Sequence, residues 1–307
     1  MLNQKICLVG GANTGFGDCT LDIKNVVGII LTPPSAQIAE ADLADLGAFL
    51  SDKVNADDPS ARWYPVHGFE EVADNSEEVQ IQTLGYGGKA VTREGDYDWT
   101  FRFLAGGLCL SNSLRKFNGS QKEVFFIDAN GVLFGSLVDG KLTSVPLTLF
   151  YAPPFGLNDG SNTANYGVRV SFKPKYINEN LGFVDTSALN IILSTFKGLQ
   201  NLVLVVVDPE NAPVTKVKAL AGCDRRNLFN QFDTELAVAS LWKAKLASTG
   251  ATVTVASVTA DSASESFIVT VTAPAGDYYL ELDSPSELLA GGVAGYESKR
   301  VLVEYTP

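Results

Sequence analysis

Between residues 79 and 172 the chain repeatedly alternates apolar and polar positions with a period of two. Trp99, Phe101 and Phe103 fall on one side and Thr100 and Arg102 on the other, the pattern of a strand with one buried face. Phe125 and Ile127, then Leu133 and Leu137, continue it. The pattern predicts strands over 79–84, 89–94, 98–104, 122–127 and 166–172. Asp128-Ala129-Asn130-Gly131 and Asp139-Gly140-Lys141 each place an Asx-Gly combination between apolar runs, and Gly85-Tyr86-Gly87-Gly88 separates the first two strands. All three read as hairpin turns.

A different period appears in two places. Ile38, Leu43, Leu46, Phe49, Leu50 and Val54 recur at steps of three and four, with Glu40, Asp42, Asp45 and Asp52 on the opposite side, which predicts a helix over about 36–56. Leu108, Leu110, Leu114 and Phe117 predict a second over 108–118, stopped by Asn118-Gly119. The texture changes near 185–201, dividing the chain into residues 1–198 and 199–307. The second part opens on Leu202–Val207, a continuous apolar run typical of a buried strand. Beyond it the spacing predicts a helix from Thr234 to Ala247 capped by Asp233, then strands over 252–258, 267–272, 278–282 and 300–305. Ser284-Pro285-Ser286-Glu287 predicts one helical turn with a capping box. The expected class is mainly β (α+β): a β-sandwich or barrel-like domain with flanking helices, followed by an immunoglobulin-like β-sandwich.

Composition adds bounds. A chain of 307 residues with 46% hydrophobic content can fill two cores. A net charge of −12 argues against a surface that grips nucleic-acid phosphates or anionic lipid. Cys7, Cys19, Cys109 and Cys223 are too widely spaced for a Cys-x-x-Cys motif and are expected to be reduced. With His67 as the single histidine, a Cys/His zinc site is not expected. Ile6–Val9 is too short for a signal-peptide core, and no apolar run reaches membrane-span length, so neither export by that route nor membrane insertion is expected. Gly10–Gly17 lacks the Gly-Lys-Ser/Thr ending of a phosphate loop. Asp159 and Asn162, in the loop 153–162, lack the spacing of a calcium loop.

Carboxylates cluster in the middle of the chain. Glu70, Glu71, Asp74, Glu77 and Glu78 occur with no intervening Lys or Arg and read as a solvated acidic loop. Glu94, Asp96 and Asp98 form a second group at a strand entry. No nucleophile accompanies His67 at a useful spacing, so a surface or structural role is expected of it. No catalytic residue, cofactor or metal is expected, and the chain is not read as an enzyme.

The Gly85–Gly88 hairpin, the acidic strand entry Glu94–Asp98, the helix 108–117, Phe125–Gly135 and Asn158–Phe172 together resemble bacteriophage tail tube proteins, over residues 1 to about 198. The resemblance implies a virion structural protein assembled in the host cytoplasm. Its subunits form homo-hexameric rings that stack with one another and meet other tail proteins, and DNA passes through the lumen without specific binding. Glu70, Glu71, Asp74, Glu77, Glu78, Glu94, Asp96 and Asp98 then become candidates for a negative lumen or inter-ring surface, with residues 199–307 as an outer decoration. Two other classes remain open. One is another virion component, such as a tail terminator or connector ring; the other is a carbohydrate- or surface-binding β protein using Trp63, Tyr86, Trp99 and Tyr151 as stacking faces.

Overall fold

The computed structural model describes residues 23–103, 106–157, 166–208, 213–272, 274 and 276–305. The chain divides into two compact units, one of Met1–Ser51 and Ser60–Lys197, the other of Asp52–Pro59 and Gly198–Pro307. Both are built mainly of strands. Gly10–Gly17, Cys7, Cys19, Asp159 and Asn162 lie outside the described residues.

The first unit runs through strands β1 (Val26–Thr32) and β2 (Gln37–Ile38), helix α1 (Leu46–Val54, whose last three residues count with the second unit), and strands β3 (Tyr64–His67), β4 (Phe69–Asp74), β5 (Gln80–Thr83), β6 (Lys89–Arg93) and β7 (Tyr97–Phe103). Helix α2 (Gly107–Arg115) follows, then β8 (Glu123–Asp128), β9 (Val132–Val138), β10 (Lys141–Thr143), β11 (Val145–Tyr151), β12 (Tyr166–Phe172), the single turn α3 (Lys175–Asn178) and β13 (Leu181–Asp185). Eleven of these strands form one sheet in the order β2-β10-β9-β8-β11-β12-β7-β4, with β1 joining β8 to β3 and β13 lying on β9. The sheet folds over itself. Phe126 on β8 lies three places from β7 in that order, yet its ring is 5.4 Å from Trp99 and 5.2 Å from Phe172. A large aromatic interior of this kind is the main favourable term holding such a sheet closed.

Strand β8 is buried on both faces. Val124 and Phe126 belong to the interior of the folded sheet, while Phe125 and Ile127 face a second cluster with Trp63 and with Leu46 and Leu50 of α1. The helix expected over 36–56 is shorter: Glu40–Asp45 is a 3-10 turn, and regular α-helix starts at Leu46. Asp42 accepts from the Ala39 N–H at 2.7 Å, tying that first turn closed. The turn between β9 and β10 is as expected, with Asp139 and Gly140 both at positive φ, 49° and 73°; two such residues match the right-handed twist of a hairpin.

The second unit holds β14 (Gln200–Asp208), β15 (Val214–Ala221), β16 (Arg226–Asn227), α4 (Phe229–Phe232), β17 (Trp242–Leu246), β18 (Thr252–Val253), β19 (Val255–Asp261), β20 (Ser266–Val271), β21 (Tyr278–Leu282), α5 (Pro285–Ala290), β22 (Tyr296–Lys299) and β23 (Val301–Val303). One sheet is ordered β19-β20-β15-β14-β22 with β16 on β15, and a second β18-β17-β21-β23. Leu204, Val217 and Phe267 from the first share one core with Trp242, Leu280 and Val303 from the second.

Three expectations fail. The helix over 234–247 is absent, because Trp242 and Ala244 are buried in alternation with exposed Lys243 and Lys245 and pair with Leu282 and Leu280 of β21. With the helix goes its Asp233 cap; the short α4 ends there instead. The capping box at Ser284 is also unmade, and Asp57 accepts from the Ser286 N–H at 3.0 Å in its place. Cys109 and Cys223 are both disulfide-bonded, not reduced; bonding follows three-dimensional proximity, which spacing along the chain does not reveal.

Candidate functional site

Between β4 and β7 the chain leaves the folded body as a β-hairpin arm. Its strands β5 and β6 pair only with each other among the described residues, in the register Ile81↔Val91, Gln82↔Ala90 and Thr83↔Lys89. The ladder of β4 and β7 continues into it through Asn75 N–H to the Asp98 carbonyl at 2.7 Å and Glu77 N–H to the Asp96 carbonyl at 3.1 Å. Gly95 is dictated by this base. A Cβ there would stand 1.9 Å from the Glu77 carbonyl oxygen, so any larger residue would prise the two chains apart. At the tip, the Leu84 carbonyl accepts from Gly87 N–H at 2.9 Å and the Leu84 N–H donates to the Gly88 carbonyl at 2.7 Å, with Gly87 at positive φ.

The arm is apolar where a solvated hairpin would be polar. Val79, Ile81, Leu84 and Val91 are each at least half exposed, and Tyr86 at the tip is fully exposed. Ile81 and Val91 stand directly opposite one another. A two-stranded ribbon is marginal by itself in water, and contiguous exposed apolar side chains together with unpaired strand edges mark a surface that meets another chain.

The acidic candidates surround the base of this arm. The expected loop over 70–78 is in its first half a strand, β4, whose register places Glu71 opposite Arg102 and Asp74 opposite Trp99. Cations from distant parts of the chain neutralise half of the group. Glu71 pairs with Arg102 at 3.0 Å and Glu77 with Arg93 at 3.0 Å. Asp96 accepts from Lys173 at 2.7 Å. Asp98 is buried and receives a bidentate fork from Arg169, Nε to Oδ1 at 2.7 Å, a hydrogen bond that raises the arginine's already high pKa. Asp74 accepts from Ser76 Oγ and N–H. Glu70, Asp74, Glu78 and Glu94 have no ion pair among the described residues, so charge toward any neighbour rests mainly on these four.

His67 is half-buried at the end of β3, where its Nε2 donates to the Phe196 carbonyl at 3.0 Å. It pins the last residues of the first unit. Burial lowers its pKa, partly offset by that carbonyl and assisted by nearby Lys197, so the ring is neutral near pH 7 with the proton on Nε2. The folded-state pKa lies below the unfolded one, so the unfolded chain takes up the proton first as pH falls. Stability from this group is therefore complete above about pH 6.5 and lost downward from there through the lowered folded value. Thermal unfolding between about pH 7.5 and 5 is expected to show a steeper loss for the wild-type than for His67→Gln, whose amide can donate to the same carbonyl. Parallel curves would exclude this linkage.

Of the aromatic residues considered as stacking faces, Trp63 is buried and Trp99 packs between Phe126 and Phe172, whereas Tyr86 and Tyr151 are exposed. Among the described residues no group of three or more His, Cys, Asp or Glu side chains converges as a metal site would. No described helix is long and apolar enough to cross a membrane. Comparison with known proteins finds no matching family, no matching curated protein and no matching solved structure.

Proposed function

We propose that this chain is a structural subunit that assembles with copies of itself, and that the assembly is the tube of a bacteriophage tail through which DNA passes. The observation that carries the reading is the arm of residues 79–93, a hairpin whose strands pair only with each other among the described residues and which carries five exposed apolar side chains. Such an element costs solubility in an isolated subunit and is useful only where a neighbour covers it. In the tube, Glu70, Asp74, Glu78 and Glu94 supply negative charge at the lumen or between rings, where it keeps a polyanion from adhering. Neither catalysis nor a cofactor enters this role. A glycan-binding role is less well supported, because two of its four aromatic platforms lie in or against the core.

Negative-stain electron microscopy of the purified chain across a concentration series tests the proposal. Stacked rings or tubes with an open centre are expected. Single rings that never stack would point instead to a terminator or connector ring, and a monomer at every concentration would count against assembly altogether.

A further inference from the structure

Lys122 stands just before β8, where the ladder between β8 and β11 runs one step further: the Leu147 N–H donates to the Lys122 carbonyl at 3.3 Å. Extended backbone alternates its side chains, so Lys122 follows Val124 and Phe126, the part of this strand that faces the aromatic interior. Glu123 takes the opposite side, where its carboxylate accepts from the Ser35 N–H at 3.0 Å and from the Ser144 hydroxyl. At the rim of the interior the Lys122 ammonium lies 5.1 Å from the centre of the Tyr64 ring and 5.4 Å from that of Phe117. The two rings are themselves 4.7 Å apart.

A lysine that only covers an apolar rim keeps its charged head in water. Here the head is held against the rings and partly withdrawn from solvent. Among the described residues it has neither a hydrogen-bond acceptor nor a carboxylate partner. The charges on the segment beside it, Arg115 and Lys116 at the end of α2, have the same sign. A ring face attracts the cation weakly, whereas burial strips water from it. The balance falls to burial, which holds the Lys122 pKa below the ordinary lysine value. The site therefore combines an amine with an enlarged free-base fraction and an apolar wall on which an incoming carbon group can rest.

We propose that Lys122 is a site of covalent acylation, its Nζ acting as the nucleophile toward activated acyl groups such as acyl phosphates, thioesters and activated esters. The unprotonated amine attacks the acyl carbonyl carbon. A C–N bond forms as the bond from that carbon to the leaving oxygen or sulfur breaks, the leaving group departs with the electron pair, and the surplus amine proton passes to water. Nothing is oxidised or reduced. The product is a neutral amide whose acyl carbon chain lies against Tyr64 and Phe117, so the charge that burial disfavours is gone. The fold creates this reactivity: Tyr64 belongs to β3, far from Lys122 along the chain.

The test adds N-hydroxysuccinimidyl acetate, at less than one equivalent, to the full chain at mildly alkaline pH and reads acetylation lysine by lysine by peptide mass spectrometry. Lys89 and Lys116, both exposed and in the same unit, are the internal references. Lys122 is expected to react at least about threefold faster than either, since a tenfold gain in free amine costs only about threefold in nucleophilicity by the relation known for thiolates. The same labelling in concentrated urea is expected to erase the margin, because the rings no longer flank the amine. A folded-state rate at Lys122 no higher than at Lys89 and Lys116 would overturn the assignment. So would a margin that survives unfolding, which would trace the reactivity to local sequence and not to the site.

Discussion

Phe126→Ala is expected to destabilise the first unit by about 3–5 kcal/mol, measured as a fall in the midpoint of urea unfolding with little change in slope. The size follows from position. Phe126 has no exposed surface, and its ring meets Trp99, Phe134 and Phe172 at centroid distances of 5.2–5.4 Å. Phe134 lies on the adjacent strand, whereas Trp99 and Phe172 lie on strands several places away that the fold of the sheet brings overhead. Removing the ring therefore opens a cavity between two layers, each pinned by its own ladder and unable to collapse far into the gap. A truncation of the same kind on the arm, Ile81→Ala, is expected to change stability by no more than about 0.5 kcal/mol, because Ile81 is more than half exposed. An equal loss from both substitutions would mean that the arm folds back onto the body in solution.

The same geometry explains which parts of the fold the sequence makes legible. Strand β7 can be read directly: Phe101 and Phe103 are buried and Arg102 is exposed, and one buried face leaves a period of two. Strand β8 is harder, since both faces are covered and Val124, Phe125, Phe126 and Ile127 merge into an apolar run that a buried helix could share. The segment 234–247 misleads for a related reason. Leu236, Leu241, Trp242 and Ala244 are all buried, which satisfies a helical stripe in projection, but the pairing partner that makes 242–246 a strand lies at 278–282. The acidic cluster is visible as composition and invisible as electrostatics. Its cations come from Arg102, Arg169 and Lys173, and no local pattern announces that Asp98 will be buried under a guanidinium. A cleft in the first unit lined by Val27, His67, Ile127 and Leu193 leaves no mark in the sequence, because those residues meet only in three dimensions. The Gly85–Gly88 turn marks a hairpin; that no third described strand covers β5 and β6 is a property of topology that the turn does not carry.

Replacing residues 79–93 by an Asn-Gly turn is expected to abolish assembly while leaving the stability of the isolated subunit within about 0.5 kcal/mol of wild-type. The two halves of this expectation have separate physical grounds. The arm strands pair only with each other among the described residues, so their removal takes no ladder from the main sheet, and the Glu77–Arg93 ion pair that disappears with them is half exposed on both sides, worth little in water. The Asn75 and Glu77 hydrogen bonds to Asp98 and Asp96 remain, and the new turn closes just beyond them. Assembly, in contrast, loses the exposed apolar side chains of Val79, Ile81, Leu84, Tyr86 and Val91. Sedimentation velocity across a concentration series and urea unfolding of the same preparation read the two halves independently. A variant that still assembles would show that the subunit joins through other surfaces and would remove the arm as the basis for the tube reading. A variant that unfolds early would show the arm to be part of the fold. A stable, permanently monomeric variant would locate the assembly energy in residues 79–93, where Tyr86 and Leu84 become the first side chains to vary one at a time.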